Sequence, residues 1–116
     1  MEIQYKSQKL HELCHDYRKA QKELGKQVAE KLFALMNLLE NSECLYDIEA
    51  MRIYHLHPLS GERRGEFALD LGRKLGYRLI VIPLDDNEKE WKETDLSIVY
   101  KATKIVLVWE VSKHYE

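Results

Sequence analysis

The sequence predicts a single α+β domain, an N-terminal αα-hairpin packed on a twisted antiparallel β-sheet. Three observations carry that expectation. The first forty residues space their apolar side chains three and four apart, the helical period. From residue 51 the period drops to two, in MRIYHLH and EFALDL. Two nearly continuous apolar runs follow, YRLIVIPL and TKIVLVWEV, the pattern of strands buried on both faces. The chain, residues 1–116, suffices for one domain with one modest core.

The elements follow in order. EIQY reads as a short strand. Ser7 is a natural N-cap for a first helix running to about Leu24, with Leu10, Leu13, Cys14, Tyr17 and Leu24 on one face. Gly25 stops it. A second helix runs from about Lys26 to Glu40, with Val28, Leu32, Leu35 and Leu39 as its stripe. NSEC ends that helix. MRIYHLH, EFALDL, YRLIVIPL and TKIVLVWEV are then the strands, and Pro83 marks the end of the third. The acidic stretch DDNEKEWKETDLSIVYKA is long for a hairpin loop, so partial order is expected there, with a helical turn near Trp91. The helices should cover one sheet face and leave the other partly open.

Composition narrows the function classes. Hydrophobic residues make up 45% of the chain, which excludes a disordered chain. LIVIPL is far too short to cross a bilayer, and MEIQYKSQKL holds no apolar signal core, so a cytosolic protein without membrane contact is expected. Two cysteines, Cys14 and Cys44, are too few for a disulfide framework and form no CxxC pair. His11, Cys14 and His15 lie within one helical turn, but Cys14 belongs to the apolar stripe, so the expectation is a buried face flanked by histidines and no metal or other cofactor.

The net charge is −2, against a general nucleic-acid binder. Its distribution is uneven. Residues 51–84 hold six basic and three acidic side chains, whereas residues 85–100 hold two and six. A local basic surface can bind phosphate, because salt screens charges beyond roughly 8 Å. The basic stretch contains HLHPLSGERRGEFALDL, with Arg63 and Arg64 in a glycine-bounded turn and His55 and His57 two apart on one strand face. Arginine binds phosphate through a planar fork and stays charged; histidine transfers protons near neutral pH. Arg78 alternates with Tyr77 and Leu79, so it faces away from both, near the start of its strand. It is the first candidate for a phosphate contact, with Arg63, Arg64, His55 and His57 as candidate RNA-binding residues.

The run HPLSGERRGEFALDL, followed by YRLIVIPLDDN and ending in EVSKHYE, resembles the plasmid-maintenance killer proteins, the HigB-like toxins of the RelE/ParE superfamily. The matching positions are Leu59, Gly61, Arg63, Arg64, Gly65, Phe67, Tyr77 and Arg78, and with the helical N-terminus the resemblance spans most of the chain. It implies a toxin with a helical hairpin on a twisted sheet, a helix-turn-helix antitoxin partner of the HigA type, and ribosome-dependent, metal-independent cleavage of mRNA by attack of the 2′-OH on the adjacent phosphate. It also implies a catalytic tail: Lys113, His114 and Tyr115 join Arg78 as candidate catalytic residues. Many relatives end in an acidic-Tyr-His group; here Lys113 stands in the acidic position, and His114 and Tyr115 are in swapped order. Phe67 stands where some relatives carry His or Tyr. These departures keep a second reading open, a non-catalytic toxin on the same fold that inhibits gyrase or only binds protein.

Overall fold

The computed structural model describes residues 1–113. Its elements are β1 (Glu2–Tyr5), α1 (Gln8–His15), α2 (Tyr17–Leu24), α3 (Lys26–Asn41), α4 (Leu45–Glu49), β2 (His57–Pro58), β3 (Phe67–Asp70), β4 (Tyr77–Leu84), α5 (Leu96–Ala102) and β5 (Ile105–Lys113). One five-stranded sheet has the order β1-β5-β4-β3-β2. The two long apolar runs are β4 and β5, and they lie inside the sheet, as their lack of alternation predicts.

The α+β class holds, with three differences in detail. The predicted first helix is two helices. Asp16 takes extended backbone (φ −105, ψ 101), and its carboxylate accepts from Lys19 N at 3.2 Å, which starts α2 afresh. An aspartate at that position competes for the backbone as an N-cap does. The break rotates Tyr17 off the buried stripe: it is 37% exposed and meets Phe33 edge-on. Gly25, at φ 86, then closes the turn between α2 and α3, a conformation a side chain would strain. Second, the sheet is mixed, because β1 pairs parallel with β5 through Glu2↔Ile105 to Tyr5↔Val108. The helices between the two strands form the connection a parallel pair needs.

Third, MRIYHLH is mostly not strand. Asp47 accepts from the backbone N–H of Glu43 and Cys44, which starts α4, and a 3-10 turn at Arg52–Tyr54 follows. Only His57 and Pro58 reach the sheet, paired with Ala68 and Phe67. The alternation had no face to bury against: Ile53 is 76% exposed. The acidic connector is ordered as expected, though its helix, α5, begins five residues past Trp91. Trp91 Nε1 donates to Thr103 Oγ1 at 3.0 Å beyond that helix.

The core lies between α3 and one sheet face. Leu32, Leu35 and Leu39 meet Leu69, Leu79, Val81, Val106 and Val108, all fully buried. Cys14 from α1 joins them. Burial, reinforced by the Glu40 charge, pushes its thiol up to about 12 from 9.0. The unfolded thiol therefore ionises from about pH 9 while the folded one keeps its proton. Stability is full below that pH and falls as pH rises toward 12, by about 1.4 kcal/mol for each pH unit climbed between the two values. Thermal melts between pH 8 and 10 should show this fall, and Cys14→Ala should flatten it. An equally steep fall in Cys14→Ala would remove the thiol as its cause.

Candidate active site

On the opposite sheet face the register is decisive. Arg78 lies across from Asp70 on β3 and from Ser112 on β5. Leu79 and Val81 take the core side, so Arg78 and Ile80 take the other, as the alternation of β4 requires. Arg78 is half-buried, and its Nε is buried with no hydrogen-bond partner among the described residues. An unsatisfied buried donor costs roughly 1–3 kcal/mol. A ligand oxygen would recover that cost, so the group is preorganised for an anion.

Around Arg78 lies a cavity of ≈ 200 Å³ lined by His55, His57, Asp70, Arg73, Gly76 and Tyr77. His55 is not on the strand. It takes a left-handed conformation (φ 47) after the 3-10 turn, which stacks its ring on that of His57, centroids 4.4 Å apart. The turn thus brings the two histidines together, where the sequence placed them on one strand face. His57 Nδ1 lies 2.7 Å from the His55 carbonyl oxygen. A carbonyl only accepts, so Nδ1 carries the proton. In the neutral ring Nε2 is then the basic nitrogen. His55 Nδ1 stands 3.7 Å from Asp70 Oδ2. The cavity therefore brings together two imidazoles, a carboxylate and a guanidinium, groups able to move a proton and to hold an anion.

Lys113 pairs in register with Tyr77, and its Nζ lies 5.7 Å from the ring centroid of Tyr77, a residue that lines the cavity. His114 and Tyr115 lie outside the described residues.

Arg63 and Arg64 go elsewhere. Arg63 Nε donates to Glu66 Oε1 at 2.9 Å, and its Nη2 contacts both Glu66 and Glu110. These two carboxylates raise its pKa. Glu66 immediately precedes β3 and Glu110 is on β5, so the guanidinium between them straps across β4. Arg64 lines a separate cleft of ≈ 530 Å³ with Pro58, Leu59, Phe67 and Trp91. Arg63→Ala should lower stability by about 1 kcal/mol, since the pairs are partly exposed. Arg64→Ala should change it by less than about 0.5 kcal/mol. Urea midpoints at constant slope test this; equal effects would mean that Arg63 is no strap.

Asp70 and Arg73 were absent from the sequence candidates. Asp70 had a signal, as a charged residue inside EFALDL on the face away from Phe67, Leu69 and Leu71, shared with Glu66 at its start. Arg73 had none, because turn arginines are common. His11 and His15 stack on each other at 4.1 Å and meet Tyr5 edge-on, while Cys14 turns into the core, so the three do not converge. Among the described residues no group of three or more His, Cys, Asp or Glu side chains could hold a metal ion.

The α+β fold is similar to that of two solved bacterial proteins. A mutant of YafQ from E. coli superposes with a TM-score of 0.50 and 21% identity, covering 97% of this chain and 91% of that one. A YoeB/ParE toxin from Agrobacterium tumefaciens does so with a TM-score of 0.50 and 12% identity, over 99% and 100%. No family model matches the sequence, and no curated protein matches it significantly. Among the described residues, no helix is long and apolar enough to cross a membrane.

Proposed function

We propose that this chain is the toxin of a type II toxin–antitoxin pair, a HigB-like endoribonuclease acting in the cytosol on mRNA at the ribosome. The observation that carries this reading is the buried, unpartnered Arg78 Nε in one cavity with two stacked histidines. RNA cleavage by internal attack needs a base, an acid and a cation. His57 Nε2 takes the proton from the 2′-OH, and the 2′-oxygen attacks the adjacent phosphorus. Arg78 binds the phosphorane oxygens through its fork. The 5′-oxygen leaves with a proton from His55, which Asp70 Oδ2 approaches at 3.7 Å. The products are a 2′,3′-cyclic phosphate and a 5′-hydroxyl, and water is not consumed in this step. Lys113, His114 and Tyr115 supply further phosphate and proton contacts from the chain's tail. None of these steps draws on a metal. The partner is an antitoxin of the helix-turn-helix, HigA-like type, which neutralises the basic face.

Expression of the chain should arrest growth and deplete transcripts, and purified protein with programmed ribosomes should yield fragments ending in cyclic phosphate. Co-expression with the adjacent open reading frame should recover a complex and restore growth. Intact transcripts and intact mRNA on ribosomes would overturn the catalytic reading. The swapped tail order favours one alternative, a gyrase-directed or purely protein-binding toxin on the same fold. Its signature is DNA breaks and an SOS response, or neutral growth, without transcript loss.

A further inference from the structure

We propose that Arg73 forms a second phosphate subsite beside Arg78, so that the site holds RNA at two backbone phosphates. This rests on the RNA-cleaving reading above. The basic surplus of residues 51–84 needs a destination, and the structure removes two of its arginines from the cavity. Arg63 is held by Glu66 and Glu110, and Arg64 lines the other cleft. Arg73 instead lines the Arg78 cavity, is exposed, and makes no ion pair or hydrogen bond through its side chain among the described residues.

Its position is set by a tight turn. β3 and β4 pair up to Asp70↔Arg78, and Leu71 N donates to Tyr77 O at 2.9 Å. The 3-10 turn Arg73–Leu75 closes that hairpin between Gly72 at φ 83 and Gly76 at φ 75. A Cβ on Gly72 would also come within 2.8 Å of the Lys31 side chain. Arg73 thus joins Arg78 in the lining of one cavity. Asp70 opposes anion binding there, but it pairs in register with Arg78, whose charge offsets it. One guanidinium fork matches the oxygens of one phosphate. Two forks lining one cavity suit two phosphates of a single strand.

The test is binding of a 2′-O-methyl RNA oligonucleotide, which cannot be cleaved, followed by fluorescence anisotropy over a range of salt concentrations. Arg73→Ala should reduce the slope of log K against log salt by about 0.7, the value for one lost phosphate contact on a single strand. Arg73→Lys should keep the slope, because it keeps the charge. Arg78→Ala should lose a similar increment, and the double variant about twice that. A slope unchanged in Arg73→Ala but reduced in Arg78→Ala overturns the Arg73 subsite and leaves the RNA reading intact. No binding by the unaltered protein overturns the two-phosphate site, whereas the RNA-cleaving reading is overturned separately, by intact mRNA on ribosomes.

Discussion

Arg78→Ala should lower RNA cleavage by about a hundred- to a thousandfold, the usual cost of removing one group that stabilises transition-state charge. The same substitution should leave the folded protein as stable as before, or slightly more so. Its Nε is buried without an acceptor among the described residues, so truncation removes an unsatisfied donor along with some packing of the aliphatic stem. This pairing of effects separates a site residue from a structural one. A structural arginine would lose stability and activity together. Arg78→Lys should not restore cleavage, because an ammonium cannot present a planar fork. Cleavage with ribosomes and a thermal melt of each variant decide the matter. Full activity in Arg78→Ala excludes it from the site, and a large fall in melting temperature assigns it to the fold.

His57→Ala should lower the rate by about a hundred- to ten-thousandfold, the usual contribution of one positioned general base. The loss should fall on turnover and leave RNA affinity nearly unchanged, since the neutral ring carries no charge to the phosphate. His55→Ala should also slow the reaction, and Asp70→Asn should act through His55 by withdrawing the carboxylate 3.7 Å from its Nδ1. Asp70→Asn should therefore slow cleavage no further in a His55→Ala background. Additive losses in the double variant would mean that Asp70 acts on Arg78 and not through His55. A His57→Ala enzyme with wild-type turnover would place the base elsewhere, with the tail residues next in line.

The parts of the fold that could be read in advance share a cause. Val28, Leu32, Leu35 and Leu39 are buried as their spacing predicts, and YRLIVIPL and TKIVLVWEV lie inside the sheet. Burial selects side chains by period, and the period is written in the chain. The misreadings also share a cause. MRIYHLH alternates, but nothing packs on Ile53, and local capping by Asp47 turned the preceding segment into helix. The break at Asp16 came from one side-chain hydrogen bond, which a stripe of leucines does not report. The parallel pairing of β1 with β5 joins residues about a hundred apart, and no local pattern records which strand a terminal segment will meet.

The site divides along the same line. By itself the sequence determined that Arg78 faces opposite to Tyr77 and Leu79, because strand side chains alternate; which of the two faces is the core was decided by the packing, since Ile80 beside Arg78 is as apolar as Leu79. It determined too that the middle of the chain is basic, with two histidines close by. Only the tertiary structure decided which of those charges are available. Arg63 is neutralised by Glu110, 47 residues away in sequence, whereas Arg73 is left facing the cavity. Only the structure set the His57 tautomer, through the carbonyl of a left-handed His55. The physical reason is one of range. Periodicity and hydropathy act over a few residues, but the charge that neutralises an arginine and the oxygen that orients an imidazole are set by where folding puts them in space.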